Sequence, residues 1–225
     1  MLTSLLDLLL PAPCAGCGAP GALLCPSCRA LLTGLRGYPA APRPAPAGLP
    51  PVHACTAYRD PVRQLLLAHK ERGALGLAGP LGAVLAEAVR AALAQAPPPE
   101  HPVLLVPMPS ARRAVRARGH DATRRLARSA ARRLRRHGLP CQVAPVLRPA
   151  RRVADQAGLG AAERRANLHR ALTVPELFRE SLSGRQLVLV DDLVTTGATL
   201  GEAARALRAA GAPPVAAATL AATTR

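Results

Sequence analysis

Residues 187–199 constrain this chain more than any other stretch. Four apolar residues, Leu187 to Val190, run into the adjacent acids Asp191 and Asp192 and then into Thr195, Thr196, Gly197, Ala198 and Thr199. A short, uninterrupted apolar run suits a strand buried on both faces. The Thr/Gly loop then opens a helix, where backbone N–H groups and three hydroxyls can cradle a phosphate. Carboxylates turned toward that anion would repel it. Asp191 and Asp192 make better sense as acceptors for the vicinal hydroxyls of a sugar, and the ligand implied is a ribose 5-phosphate moiety. An ordinary capped strand-to-helix junction would explain one acid and one threonine but not the whole run.

The flanking pattern alternates strands with helices. Strands are expected at His53 to Tyr58, Val103 to Val106, Gln142 to Leu147, Leu187 to Val190 and 215–221; helices are expected over 61–70, 77–96, 120–137 and 199–210. This order predicts an α/β fold, a mostly parallel sheet with helices on both faces. The domain spans 52–225 and is preceded by a cysteine-rich head, 1–34, and a Pro/Ala-rich tract, 35–51, that reads as an extended linker. No internal repeat is present.

The head holds Cys14, Cys17, Cys25 and Cys28 in two CxxC knuckles seven residues apart. Each knuckle sets two thiolates on one tight turn, and two facing knuckles supply four soft ligands for a structural zinc ion at about 2.3 Å. The competing readings are a pair of disulfides or a redox dithiol. A site closed by four thiolates leaves no position for a catalytic water. The head is expected to disorder without its metal while 52–225 keeps its own core. Cys55 and Cys141 stand alone near strands and read as buried small hydrophobes.

The charge of +17 comes from 30 cationic and 13 acidic residues, and 29 of the 30 are arginine. Such a balance favours polyanionic or phosphorylated partners, discounted for a composition biased toward Arg and Ala. The single lysine, Lys70, is followed by Glu71, so no P-loop of the GxxxxGK[ST] type exists in the chain. Tyr38, Tyr58 and Phe178 are its only aromatic residues, too few for base-stacking modules. The segment Gly158 to Glu163 starts like a dinucleotide fingerprint but lacks the third glycine and a preceding strand. Helix 120–137 sets Arg124, Arg125, Arg128, Arg132, Arg133, Arg135 and Arg136 opposite Thr123, Leu126, Ala127, Ala130 and Leu134. That stripe is either a solvated face or a surface for DNA or another polyanion. The start of the chain lacks the basic and small-residue features of a signal peptide, and Glu87 and Arg90 interrupt the Ala/Leu-rich stretch, so no membrane span and a cytoplasmic location are expected.

The 191–199 run resembles the phosphoribosyl pyrophosphate (PRPP) motif of type I phosphoribosyltransferases. Further blocks narrow the likeness: Tyr58 to Pro61, Leu65 to Lys70, Val106 to Pro109, Arg116 to Gly119, then Gln156, Leu159, Arg164 and Asn167, all behind the double knuckle. Together they look like the ComF family of competence-associated phosphoribosyltransferase homologues, nearly end to end. Where that family continues Arg-Gly with Phe-Asn-Gln, this chain has His120, Asp121 and Ala122.

The resemblance implies that Asp191 and Asp192 hold the ribose hydroxyls and that Thr195, Thr196, Gly197, Ala198 and Thr199 bind the 5-phosphate. It places Pro107, Met108, Pro109 and Ser110 beside the pyrophosphate, with Arg116 and Arg118 to neutralise it. Residues 148–170 become a hood, in which Arg148, Arg151 and Arg152 are pyrophosphate candidates and Gln156, Arg164 and Asn167 organisers. Mg²⁺ is expected to accompany PRPP. No general base stands out; His120 is the nearest by context, though a histidine at a helix start more often caps or lies exposed. Two classes of function follow: transfer of a phosphoribosyl group to an acceptor the residues do not name, or a nonenzymatic accessory role in DNA uptake or processing, with DNA or a competence protein as partner.

Overall fold

A computed structural model describes residues 13–150 and 170–223. Its strands are β1 (Tyr38–Pro39), β2 (Val52–Ala54), β3 (Thr56–Ala57), β4 (Val103–Pro107), β5 (Cys141–Val143), β6 (Arg148–Pro149), β7 (Leu172–Thr173), β8 (Leu187–Val194) and β9 (Ala216–Ala222). The helices are α1 (Pro26–Gly34), α2 (Val62–Glu71), α3 (Ala78–Leu93), α4 (Arg112–Arg118), α5 (Ala122–Arg136), α6 (Arg179–Leu182) and α7 (Ala198–Ala209). The main sheet runs β1-β2-β9-β8-β4-β5, with β3 also on β9, and all its pairings are parallel except β1 with β2.

Alternate residues of the central strands feed two cores, as a sheet covered on both faces requires. Leu105, Val188, Val190 and Ala218 pack with α2, α3 and α5, whereas Leu104, Leu187, Leu189 and Ala217 pack with Leu200, Ala203 and Leu207 of α7. Helix α3, with the short 3₁₀ turn Leu75–Leu77 before it, has the length and hydropathy of a membrane span. Leu81, Val84, Leu85, Ala88 and Val89 are, however, all buried in the first of these cores. Helices α3 and α5 approach closely because Gly82 faces Ser129 without a side chain between them. Gly82→Ala would drive a Cβ into Ser129 and the Ala130 backbone. It should therefore destabilise the protein by about 1–3 kcal/mol, read as a lower melting transition, although alanine is the better helix former.

Several elements differ from the sequence expectation. β8 does not stop at Val190, because β9 stays paired with it through Asp191↔Thr219, Leu193↔Ala221 and Val194↔Ala222. The acids are therefore part of the strand. The run 142–147 is a strand only to Val143; Pro145, lacking an N–H, ends it, and Val146 and Leu147 are buried without pairing. Helix α4 was not expected, since it buries nothing and so has no apolar stripe to read. It ends at Gly119 in the left-handed conformation, after which Asp121 caps α5 by accepting from the Arg124 N–H at 3.1 Å.

The tract 35–51 is extended but fixed: Tyr38 and Pro39 add an edge strand opposite Ala54 and His53. The head is equally attached. Leu24 and Leu32 share one core with Leu65, Leu81 and Leu85, so that core is not the property of 52–225 alone.

Candidate functional site

From β4 the chain moves to β5 on one side of the sheet, and from β8 to β9 on the other. The carboxyl ends of β4 and β8 therefore flank a topological switch point, the crevice where open α/β sheets bind ligands. The Met108 N–H donates to the Val190 carbonyl at 2.9 Å, which keeps the loop after β4 alongside the acids of β8.

Asp191 is half-buried, and its Oδ1 accepts from the Asp192 N–H at 2.8 Å. Asp192 is 9% exposed, and Lys70 Nζ lies 2.8 Å from its Oδ2. Burial, reinforced by the neighbouring Asp192 charge, pushes the Asp191 carboxyl well above the usual carboxylate range. Burial acts on Asp192 in the same sense, but the Lys70 ammonium outweighs it and holds that carboxyl below its ordinary value. Lys70 in turn is raised: burial opposes its charge and Asp192 more than restores it.

Beyond the acids, Thr195 is exposed, Thr196 and Thr199 are half-buried, and Gly197 and Ala198 are buried. Thr196 Oγ1 accepts from the Ala198 N–H at 3.4 Å, and Gly197, at φ +71°, begins α7. A Cβ on Gly197 would come within 2.9 Å of Pro42 Cγ and 3.0 Å of Leu49 Cδ2, so the Pro/Ala-rich tract backs the loop directly. Helix first-turn N–H groups have no intrahelical acceptor, so the start of α7 and the threonine hydroxyls beside it are the kind of place where an anion can bind.

The other expected contributors fare differently. Pro107 and Met108 are buried, Pro109 and Ser110 half-buried, and Ser110 Oγ donates to Asp121 Oδ1 at 3.0 Å. Arg116 is exposed on α4. Arg118 is turned to Glu71, Nε to Oε2 3.1 Å, with its side chain 16% exposed. Arg148 donates to the carbonyls of Pro145 and Leu147 and stacks over Phe178 at 5.6 Å. Arg151, Arg152, Gln156, Arg164 and Asn167 lie outside the described residues. His120 neither caps nor lies exposed: it is buried, with Nδ1 3.0 Å from the Arg118 carbonyl and Nε2 3.1 Å from that of His69. Its ring ties α2 to the α4–α5 turn.

Lys70, beside Asp192, belongs to no motif that marks it as a partner of the acids. Its signal was compositional, the one lysine among 30 cationic side chains.

In the head, the four cysteine Sγ atoms lie within 4.8 Å of one another, and Cys17 Sγ is 3.6 Å from Cys25 Sγ. A tetrahedral zinc with bonds of about 2.3 Å needs sulfurs about 3.8 Å apart, whereas a disulfide needs about 2 Å. No disulfide joins the described cysteines, and the Cys25 and Cys28 N–H groups donate to the Cys14 and Cys25 sulfurs, each at 3.4 Å. Burial pushes the Cys14 thiol up, but hydrogen bonds from the Cys25, Cys17 and Gly16 backbone overcome it and bring the thiol down to about 6, while burial and the neighbouring sulfurs push the Cys28 thiol up. The donor set therefore fits structural zinc.

The acid pair fits Mg²⁺ less well. Carboxylate oxygens suit that ion, but a cation placed on Asp192 Oδ2 would meet the Lys70 ammonium already there.

Residues 125–225 match the family model of the phosphoribosyl transferase domain, and no curated protein matches the chain. The matched segment holds β8, the 195–199 loop, α7 and β9, and leaves Lys70 and the β4 loop outside it. The match to a phosphoribosyl transferase domain thus falls on part of a mostly parallel sheet, with a four-cysteine cluster before it in the chain.

Proposed function

We propose that the protein binds PRPP or a related ribose 5-phosphate in the β4–β8 crevice, and that it is of the ComF type. The observation that carries this reading is the continuity of β8: two acids on the strand run without a break into a threonine-lined cradle at the switch point. In this reading the 195–199 loop holds the 5-phosphate and the acids accept from the ribose hydroxyls. The loop Pro107 to Ser110 borders the pyrophosphate, with Arg116, exposed on α4, as a cation to approach it. Transfer would break the C1–O bond to pyrophosphate, form a bond from C1 to the acceptor, and release the acceptor's proton. Cysteines without disulfides suit a reducing compartment, so a cytoplasmic setting is part of the proposal. Calorimetry with PRPP, followed by a pyrophosphate-release assay across nucleobases and amines, tests it: binding is expected, and no binding would overturn it.

One observation favours binding without transfer. Both nitrogens of His120, the nearest candidate base, are held against backbone carbonyls, so it is not poised to take a proton from an acceptor. The accessory reading would then use the α5 stripe, where Arg125, Arg128 and Arg132 are exposed while Leu126, Ala130 and Leu134 are buried. With no aromatic residue on the helix, DNA would be held by phosphates alone, indifferent to sequence. The log–log salt slope would be about −0.9 per phosphate neutralised. Charge reversal of those three arginines to Glu should reduce affinity and slope together and leave PRPP binding intact. Absence of DNA binding by the wild type at about 50 mM salt would return the stripe to solvent.

A further inference from the structure

We infer that Lys70 is the resident cation of the acid pair, standing beside Asp192 where a divalent metal would otherwise sit, so that ribose 5-phosphate binds this loop without a metal ion. The inference rests on the ribose-phosphate reading of the loop. Lys70 reaches β8 from the end of α2, 122 residues away in sequence, and its Nζ lies 2.8 Å from Asp192 Oδ2. The carboxylate side chain is 12% exposed and the lysine 36% exposed, so the pair is closed on its Asp192 side and partly open to solvent on its Lys70 side.

The residues on either side of Lys70 are both tied to the same segment. The His69 carbonyl meets His120 Nε2 at 3.1 Å, and Glu71 pairs with Arg118 at 3.1 Å. The helix end that carries the ammonium is thereby anchored. Chemistry explains why this position is not one more arginine. An ammonium is a compact point charge with three N–H donors; one goes to Asp192 and two remain for a sugar hydroxyl or a phosphate oxygen. A guanidinium is a longer planar fork that would extend past Oδ2 into the space a ribose needs. A metal ion bound at Asp192 Oδ2 would have to displace the lysine, and one bound at Oδ1 would stand within reach of its like charge.

The test is calorimetry with ribose 5-phosphate, which lacks the pyrophosphate that chelates metal in solution, in EDTA and again in millimolar Mg²⁺. Wild type is expected to bind equally in both, within about twofold. Lys70→Met should weaken binding in EDTA by about tenfold or more, the loss of one charge-assisted hydrogen bond, and recover part of it when Mg²⁺ is added. Lys70→Arg, which keeps the charge, should fall between the two; its melting transition, compared with wild type, checks the fold. Wild-type binding that appears only with Mg²⁺ overturns this inference and leaves the loop assignment standing. Lys70→Met binding as tightly as wild type in EDTA does the same. No binding by wild type in either buffer overturns both readings, and the wild-type comparison holds whether or not a variant folds.

Discussion

Replacing Asp191 and Asp192 together with Asn is expected to lower affinity for ribose 5-phosphate by two orders of magnitude or more. The main sheet should survive, because asparagine keeps the shape of each side chain and the β8–β9 pairing runs through backbone groups. Each charge-assisted hydrogen bond to a sugar hydroxyl is worth about 1.5–3 kcal/mol, and about 1.4 kcal/mol is a tenfold change in affinity. The single variants should not be equal. Lys70 favours the charged form of Asp192, whereas burial and the Asp192 charge push the Asp191 carboxyl up, so the charge at Asp191 is the less supported of the two. Asp192→Asn should therefore cost more than Asp191→Asn, and it also leaves the Lys70 ammonium without its partner. Calorimetry of all three variants checks this; equal, wild-type affinity in the double variant contradicts the placement of the sugar.

The second large effect concerns the head. Cys25→Ser should drop the zinc content from about one ion per chain and lower the melting transition of the whole protein, not of a separate module. Leu24 and Leu32 are 7% and 5% exposed within the core that also holds Leu65, Leu81 and Leu85. Uncovering those two leucines costs about 3–6 kcal/mol at roughly 1.5–3 kcal/mol each. Domains of this kind are stable by only about 5–15 kcal/mol. Elemental analysis beside a thermal melt reads both effects. A zinc-free wild type, or a Cys25→Ser variant with the wild-type melting transition, would contradict the four-thiolate reading.

What could be read from the residues follows the range of the forces involved. The two CxxC knuckles and the 195–199 loop are local, so spacing alone gathers the four sulfurs and sets the loop between a strand's end and a helix's start. The fold class was equally legible, because apolar strands alternating with amphipathic helices leave few ways to bury both faces of a sheet. The end of β8 was not: Asp191 to Val194 look like a loop until β9, an Ala- and Thr-bearing strand some 30 residues on, pairs with them. Long cationic side chains were the least legible of all. Arg118 was expected at a pyrophosphate and lies on Glu71; Arg148 turns back to its own loop; Lys70 crosses to Asp192. Each choice depends on partners brought close only by tertiary structure. The 35–51 tract has no hydrophobic period to betray its packing, yet Pro42 and Leu49 close against Gly197.

The most direct test of the central claim is a crystal structure of the protein with ribose 5-phosphate bound. The account predicts the phosphate at the N-terminus of α7, within hydrogen-bond distance of backbone N–H groups in the 195–199 loop, and the 2′ and 3′ hydroxyls on Asp191 and Asp192. A phosphate seated instead on the α5 arginines, with the 195–199 loop empty, would contradict it.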